Sequence, residues 1–174
     1  GRPLVPYVGE LRRALGRLVG PLLDALWKNP NPDEALNQFE RFLSAAGPRA
    51  GLIEILANDE RLLTGLVRVC AGGDLLTQLL VAQPELLTSL ADPRVMGKAR
   101  TKADLRVALA KVFDPASSAT TERDALRQIK QAEELSIVWR YLLEWTSIDG
   151  YGREMTALAE ATLQAGWIMA QMPL

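Results

Sequence analysis

Few residues in this sequence are of the types that carry out catalysis. The chain has 174 residues, with no histidine and a single cysteine, Cys70. Histidine is the commonest general base near neutral pH, so a Ser-His or Cys-His nucleophile pair cannot be built. The usual zinc sites combine histidines with several cysteines and are excluded in the same way. The composition therefore excludes the most familiar hydrolase and zinc-enzyme sites.

Arg140 and Glu144 are two charged residues one helical turn apart in a largely apolar stretch. Arg140 could anchor a phosphate group or a partner. Alternatively, Arg140 and Glu144 could form a structural ion pair. We predict the ion pair, because charges in apolar surroundings generally need partners for structural reasons alone.

Residues 92–111 form a basic segment, with six cationic side chains against two acidic ones. A nucleic-acid or phosphate patch is one interpretation. No aromatic residues are interleaved for base stacking, and the whole chain has a net charge of −1. We therefore predict a solvated surface and no nucleic-acid partner. The cations are Arg94, Lys98, Arg100, Lys102, Arg106 and Lys111.

The remaining candidates favour structural roles. Cys70 has only Arg68 as a close cationic neighbour in sequence, so we predict a small core residue rather than a reactive thiol. The glycine pairs Gly72–Gly73 and Gly150–Gly152 lack the spacing of a phosphate-binding loop. We also predict core packing for the four tryptophans, at positions 27, 139, 145 and 167. No catalytic, cofactor-binding or metal-binding residue is assigned.

The elements that hold these residues all show helical spacing. Apolar residues make up 48% of the chain, and they recur with a period near 3.6 rather than 2. We predict an all-α bundle of roughly eight or nine helices with no sheet. The predicted helices cover about 7–27, 32–46, 49–57, 59–71, 75–82, 84–90, 102–113, 122–146 and 153–169.

Capping signals define several of these boundaries. Asn31, Pro32 and Glu34 fit the N-cap, first and third positions of one helix. Thr101 and Asp104 resemble a capping box. Further N-caps are predicted at Asn58 and Asp74, and helix stops at Gly47–Pro48 and Gly72–Gly73. We expect the sequence SIDGYG to separate the last two helices, and DPASSATTE to form a loop.

The last predicted helix carries three consecutive large apolar residues, Trp167, Ile168 and Met169. Three adjacent helical residues cannot all face one core. We predict that one side packs against Trp139, Leu142 or Leu143. The other side would contact a further domain, or it would be a frayed terminus with exposed apolar residues.

We expect residues 1–174 to form one helical domain, divided into a linker helix (1–30), a short-helix array (31–93), a loop and helix (94–120), and a long central helix with a C-terminal helix (121–174). No apolar run reaches the roughly 18 residues of a membrane span. One cysteine fits a reducing compartment, so we expect a cytoplasmic location and no membrane partner. The chain begins with glycine, so we expect a fragment of a longer protein.

Three stretches resemble one family: PDEALNQFERFLS, then LIEILANDERLLTGLVRVCAGGDLLTQLLVAQPELL, and finally LRQIKQAEELSIVWRYLL with MTALAEATLQAGW. Together they are similar to the central region of glutamine synthetase adenylyltransferases, which attach AMP to glutamine synthetase and remove it. The resemblance implies a helical segment ahead of the second nucleotidyltransferase head. Catalytic heads of this family carry a D-x-D acid pair, which this sequence lacks.

The resemblance therefore implies a non-catalytic regulatory or linker domain. Its implied partners are the flanking nucleotidyltransferase domains, glutamine synthetase and a PII-type regulator. ATP and magnesium are implied for the parent enzyme, and no cofactor is implied for this segment. The alternative is a free-standing helical adaptor that binds a partner helix or peptide in a groove.

Overall fold

A computed structural model describes residues 5–47, 50–92, 96–112 and 119–171. Within these ranges there are nine helices and no strand, which confirms the all-α prediction. The helices are α1 (Val5–Trp27), α2 (Pro32–Ala46), α3 (Ala50–Asn58), α4 (Glu60–Ala71), α5 (Asp74–Ala82), α6 (Leu86–Leu90), α7 (Lys102–Ala110), α8 (Ala119–Leu142) and α9 (Ile148–Gln171).

The chain divides into two compact units, Gly1–Ala91 and Asp92–Leu174. This boundary lies close to the one that the sequence predicted between its short-helix array and the next segment. The prediction of a single domain concerns independent folding, which compactness alone does not test, so it stays a prediction.

The first unit is built around α4. This helix packs against α1, α2, α3 and α5, and seven of the twelve residues in its sequence ERLLTGLVRVCA are buried. They form one wide apolar face, which is stable only when neighbouring helices cover it. Its buried residues are Leu62, Leu63, Gly65, Leu66, Val67, Val69 and Cys70.

The second unit is a three-helix arrangement in which α7, α8 and α9 all contact one another. Ile137 of α8 lies in one core cluster with residues of α7 and α9. Two alanines of α9, Ala161 and Ala165, belong to that cluster, and their small side chains allow close packing. The other members of the cluster are Leu105, Leu109 and Leu158.

The helices begin close to the predicted residues, but the residues and hydrogen bonds that cap them differ in part from the prediction. The capping box of Thr101 and Asp104 is confirmed. Asn31 is the N-cap of α2, but its side chain forms no capping hydrogen bond. The N-cap predicted at Asn58 is wrong: Asp59 caps α4 instead, accepting from Arg61 N and Leu62 N at 3.0 Å each.

The N-cap predicted at Asp74 is also wrong, because Asp74 is already the first residue of α5 and Gly73 precedes it with φ of 120°. That positive φ favours glycine. The Asp74 carboxylate instead accepts hydrogen bonds from Gln38 and from Arg41, the latter at 3.2 Å. These contacts join α5 to α2.

The boundary between the last two helices lies earlier than predicted. Helix α8 ends at Leu142, where Trp145 N donates to Arg140 O (2.8 Å) and Glu144 N donates to Tyr141 O (3.0 Å). This is a Schellman motif. Its left-handed residue is Glu144, with φ of 61°, where glycine is usual.

Helix α9 then begins at Ile148, so the expected break at SIDGYG is wrong. Gly150 lies inside α9, and the Ser147 hydroxyl accepts from its N–H at 3.2 Å. A Cβ on Gly150 would lie 2.2 Å from Thr146 Oγ1. Glycine here lets the Thr146 side chain approach the α9 backbone closely, and it does not mark a helix break. The predicted DPASSATTE loop lies partly outside the described residues, and α8 is already helical from Ala119.

The tryptophans differ from the sequence prediction. Trp139 is fully buried, as expected, whereas Trp27, Trp145 and Trp167 are exposed. Burial of an apolar residue depends on which helix face is covered, and the apolar pattern alone does not specify that face when a helix carries apolar residues on two sides.

Pro21 lies within the single helix α1 and does not divide it.

Candidate functional site

The most deeply buried charges in the described part of the chain are Arg140 of α8 and Glu154 of α9, which form an ion pair. They are 3% and 5% exposed. Burying either charge alone would be strongly unfavourable. Each therefore requires the other, and the pair fixes α8 against α9.

The backbone ahead of α7 is bound to the same pair. Glu154 Oε2 accepts from Arg140 and also from the backbone N–H of Arg100, at 3.0 Å. The Arg100 guanidinium forms a two-point ion pair with Glu133 of α8, with Nε donating to Oε2 at 3.1 Å. We call Arg100, Glu133, Arg140 and Glu154 the clasp. It holds the segment before α7 against both long helices.

A groove of about 330 Å³ lies beside the clasp. Its walls come from the segment before α7, from the α8–α9 connection and from the first turns of α9. Two buried clasp atoms, Arg140 Nε and Glu154 Oε1, have no hydrogen-bond partner among the described residues. The groove is lined by Ala99, Arg100, Thr101, Lys102, Thr146, Gly150, Arg153, Glu154 and Ala157.

At the rim of the groove, charged side chains also form ion pairs and hydrogen bonds with other residues of the second unit. Lys102 pairs with Glu160 of α9 and lowers the pKa of that carboxyl group. The Thr101 N–H and hydroxyl donate to Asp104 Oδ2 at 3.0 and 2.8 Å, and these bonds lower the pKa of Asp104. Two cations of the predicted basic segment, Arg100 and Lys102, are therefore ion-paired. Arg94 lies outside the described residues.

The structure gives Arg140 an ion-pair partner in Glu154. The predicted pairing of Arg140 with Glu144 stays a prediction; it was based on one continuous helix, whereas α8 ends at Leu142. Glu154 lies across the short α8–α9 connection from Arg140, and such a pairing arises only when the two helices pack side by side. The rings of Tyr141 and Tyr151 also meet across this connection, with centroids 5.0 Å apart.

The three residues predicted to contact a further domain lie at the end of α9. Trp167 is 68% exposed, Ile168 is 44% exposed and Met169 is partly buried. The contact requires such exposure in the isolated chain, but exposure alone does not test it. It stays a prediction.

Cys70 is buried in α4, and burial raises the pKa of its thiol to about 12. The thiolate is the reactive form of cysteine, so this side chain is a core residue, as predicted. Within the described ranges, no group of three or more cysteine or acidic side chains is placed to hold a metal ion. None of the helices described combines the length and hydropathy of a membrane span.

Comparison with known proteins gives a consistent match. The profile of the family described as glutamate-ammonia ligase adenylyltransferase matches residues 63–172. A bifunctional glutamine synthetase adenylyltransferase/adenylyl-removing enzyme of Rhodopseudomonas palustris (strain TIE-1) is 33% identical over 139 residues, which is 80% of this chain and 14% of that protein.

Proteins of the same description from two other organisms are also similar. The Bradyrhizobium sp. (strain ORS 278) protein is 30% identical over 86% of this chain and 15% of its own length. The Idiomarina loihiensis protein is 28% identical over 87% of this chain and 16% of its own length. The chain thus spans about one-seventh of the relatives it matches. No solved structure matches.

Proposed function

We propose, from the premise that this chain belongs to the glutamate-ammonia ligase adenylyltransferase family, that it is a non-catalytic regulatory and linker segment of such an enzyme. In this proposal, it separates the adenylylating and adenylyl-removing activities that its relatives' names describe. It also carries regulatory coupling between them.

The clasp is the observation that best supports this proposal. Adenylyl transfer needs carboxylates that hold a metal ion against phosphate oxygens. Glu154, a buried acid of the second unit, has one oxygen bound by Arg140 and by the Arg100 N–H. Glu133 is bound by the Arg100 guanidinium. These acids fix one backbone segment and two helices in place, which suits a rigid spacer.

The rest of the proposal concerns the whole enzyme. Glutamine synthetase would be its protein substrate, ATP and Mg²⁺ would serve its catalytic heads, and a PII-type regulator would act on it in the cytoplasm. Flanking nucleotidyltransferase domains would be the immediate neighbours of this segment. Trp167, Ile168 and Met169 would contact the head that follows.

A first experiment tests the non-catalytic assignment. The 174-residue chain is incubated with glutamine synthetase, labelled ATP and Mg²⁺, with a full-length family member as the positive control. We expect no AMP incorporation by the chain and no release of AMP from adenylylated glutamine synthetase. Either activity above background would refute the assignment.

A second experiment tests the coupling role. The chain replaces the matching segment of a full-length family member, with Trp167→Ala and Ile168→Ala introduced together. Leu163→Ala is the control, because Leu163 is also exposed on α9. We expect the double variant to change the ratio of AMP attachment to AMP removal, whereas the control does not. An unchanged ratio in the double variant would contradict the proposed interdomain contact.

A further inference from the structure

The sequence contains one aspartate that is followed by glycine, at Asp149–Gly150. An aspartyl bond rearranges when the backbone nitrogen of the next residue attacks the side-chain carboxyl carbon, and a side chain on that next residue hinders the attack. Glycine has no side chain and leaves the backbone freest to rotate. Asp149 is therefore followed by the residue that hinders this rearrangement least.

The position of this bond in the fold explains why glycine is present. Both residues lie in the first turn of α9, and Asp149 is exposed. The Thr146 side chain approaches so closely that a Cβ on Gly150 would lie 2.2 Å from Thr146 Oγ1. Packing at the α8–α9 connection thus favours the same residue that makes the preceding aspartate reactive.

Ser147 holds this turn closed. Its hydroxyl oxygen accepts from the Gly150 N–H at 3.2 Å, and its carbonyl oxygen accepts from the Tyr151 N–H at 2.8 Å, which is the pattern of an N-cap. In a helix, ψ is about −42°, and Asp149 must rotate away from that value before the Gly150 nitrogen can meet the carboxyl carbon. The rearrangement therefore requires the first turn of α9 to open.

We propose that Asp149–Gly150 is a site of isoaspartate formation whose rate is set by the Ser147 cap. Gly150 N bonds to Asp149 Cγ, and its proton leaves with the hydroxyl of the protonated carboxyl group as water, which gives a succinimide. Water then adds to the main-chain carbonyl carbon of Asp149 and breaks its bond to Gly150 N. The backbone afterwards runs through Cβ and Cγ, and no atom is oxidised or reduced. This inference does not depend on the proposed function.

The product would alter the helix that carries the buried ion pair. Isoaspartate adds one carbon atom to the backbone between the Asp149 Cα and the Gly150 nitrogen, which interrupts the regular first turn of α9. Glu154 lies about one and a half turns further along the same helix, where it pairs with Arg140. We therefore expect the isomerised chain to have a lower melting temperature.

Incubation of the 174-residue chain at neutral pH and physiological temperature tests the role of the cap. Isoaspartate at position 149 is measured by peptide mapping in the wild type, Ser147→Ala and Thr156→Ala. Thr156 is the matched control, because it is an exposed hydroxyl residue of α9 that donates to Gly152 O. Ser147→Ala should form isoaspartate about fivefold faster than the wild type, since loss of an N-cap shifts local opening by roughly that factor. Thr156→Ala should match the wild type.

Two references complete the test, and circular dichroism verifies that each variant is folded. The wild type unfolded in guanidinium chloride should form isoaspartate at position 149 faster than the native chain. Asp149→Glu should keep its normal backbone, because its longer side chain would have to close a six-membered ring, and its melting temperature should not fall on incubation. Equal rates in the wild type and Ser147→Ala would overturn the proposal. So would a native chain that forms no isoaspartate at position 149 while the unfolded chain does.

Discussion

The two units bury their central helices by different means. In the first unit, α4 is covered through leucine, valine and cysteine side chains. In the second unit, α8 and α9 bury a salt bridge between Arg140 and Glu154 and hold a backbone segment with it. Apolar packing loses stability gradually as atoms are removed, whereas a buried ion pair fails when one partner is lost. The units should therefore respond differently to single and paired substitutions.

The largest effect is expected at the clasp. Glu154→Gln keeps an acceptor for the Arg100 N–H but leaves the Arg140 charge buried without its counter-charge, which should destabilise the chain by about 3–5 kcal/mol. Arg140→Met combined with Glu154→Gln should recover most of that loss, because no unpaired charge remains. Urea unfolding followed by circular dichroism measures both. A double variant as unstable as the single one would show that the charge is not the cause.

In the first unit, Leu66→Ala should destabilise by about 2–5 kcal/mol, since it removes buried methyl groups and leaves a cavity. The matched control is Leu75→Ala in α5, because Leu75 is 74% exposed. That control should change the free energy of unfolding by no more than about 0.5 kcal/mol. Equal losses in the two variants would contradict the assignment of α4 as the apolar centre.

A smaller effect is expected where α8 connects to α9. Gly150→Ala should destabilise by about 1–3 kcal/mol, because its Cβ would overlap Thr146 Oγ1. With Thr146→Ala present, the same change should become neutral or stabilising by up to about 1 kcal/mol, since alanine is the better helix former. Thermal unfolding of the wild type, the two single variants and the double variant gives the coupling free energy between positions 146 and 150. Additive effects would exclude the steric explanation.

The smallest effect concerns the capping box of α7. The Thr101 bonds hold the pKa of Asp104 below 3.8, its ordinary value. A carboxyl group whose pKa is lowered by folding stabilises the native state above its unfolded pKa, and that stabilisation is lost as pH falls through the folded pKa. Asp104→Asn should therefore reduce the fall in melting temperature between neutral pH and acid. Identical pH profiles for both proteins would show that the box does not contribute.

The sequence predicted the helices of the first unit well because apolar spacing and capping residues are local signals. Residues 32–46 were correctly identified as one helix from Pro32 and the recurring apolar residues. Glu154 was missed because its role arises only when α8 and α9 fold back on each other. Gly150 was wrongly interpreted as part of a helix break. Glycine is typical of flexible loops, but it also occurs where a neighbouring side chain approaches the helix backbone closely.

The distribution of tryptophans allows the second unit to be followed by its intrinsic fluorescence. Residues 139, 145 and 167 all lie in Asp92–Leu174, whereas Gly1–Ala91 contains only Trp27, which is already 87% exposed. Tryptophan emission shifts mainly when an indole moves between an apolar and an aqueous environment, so native fluorescence should report chiefly on the second unit. Helical ellipticity reports on both units. If the two signals change together during unfolding, the units melt as one cooperative body; if they separate, each unit has its own transition.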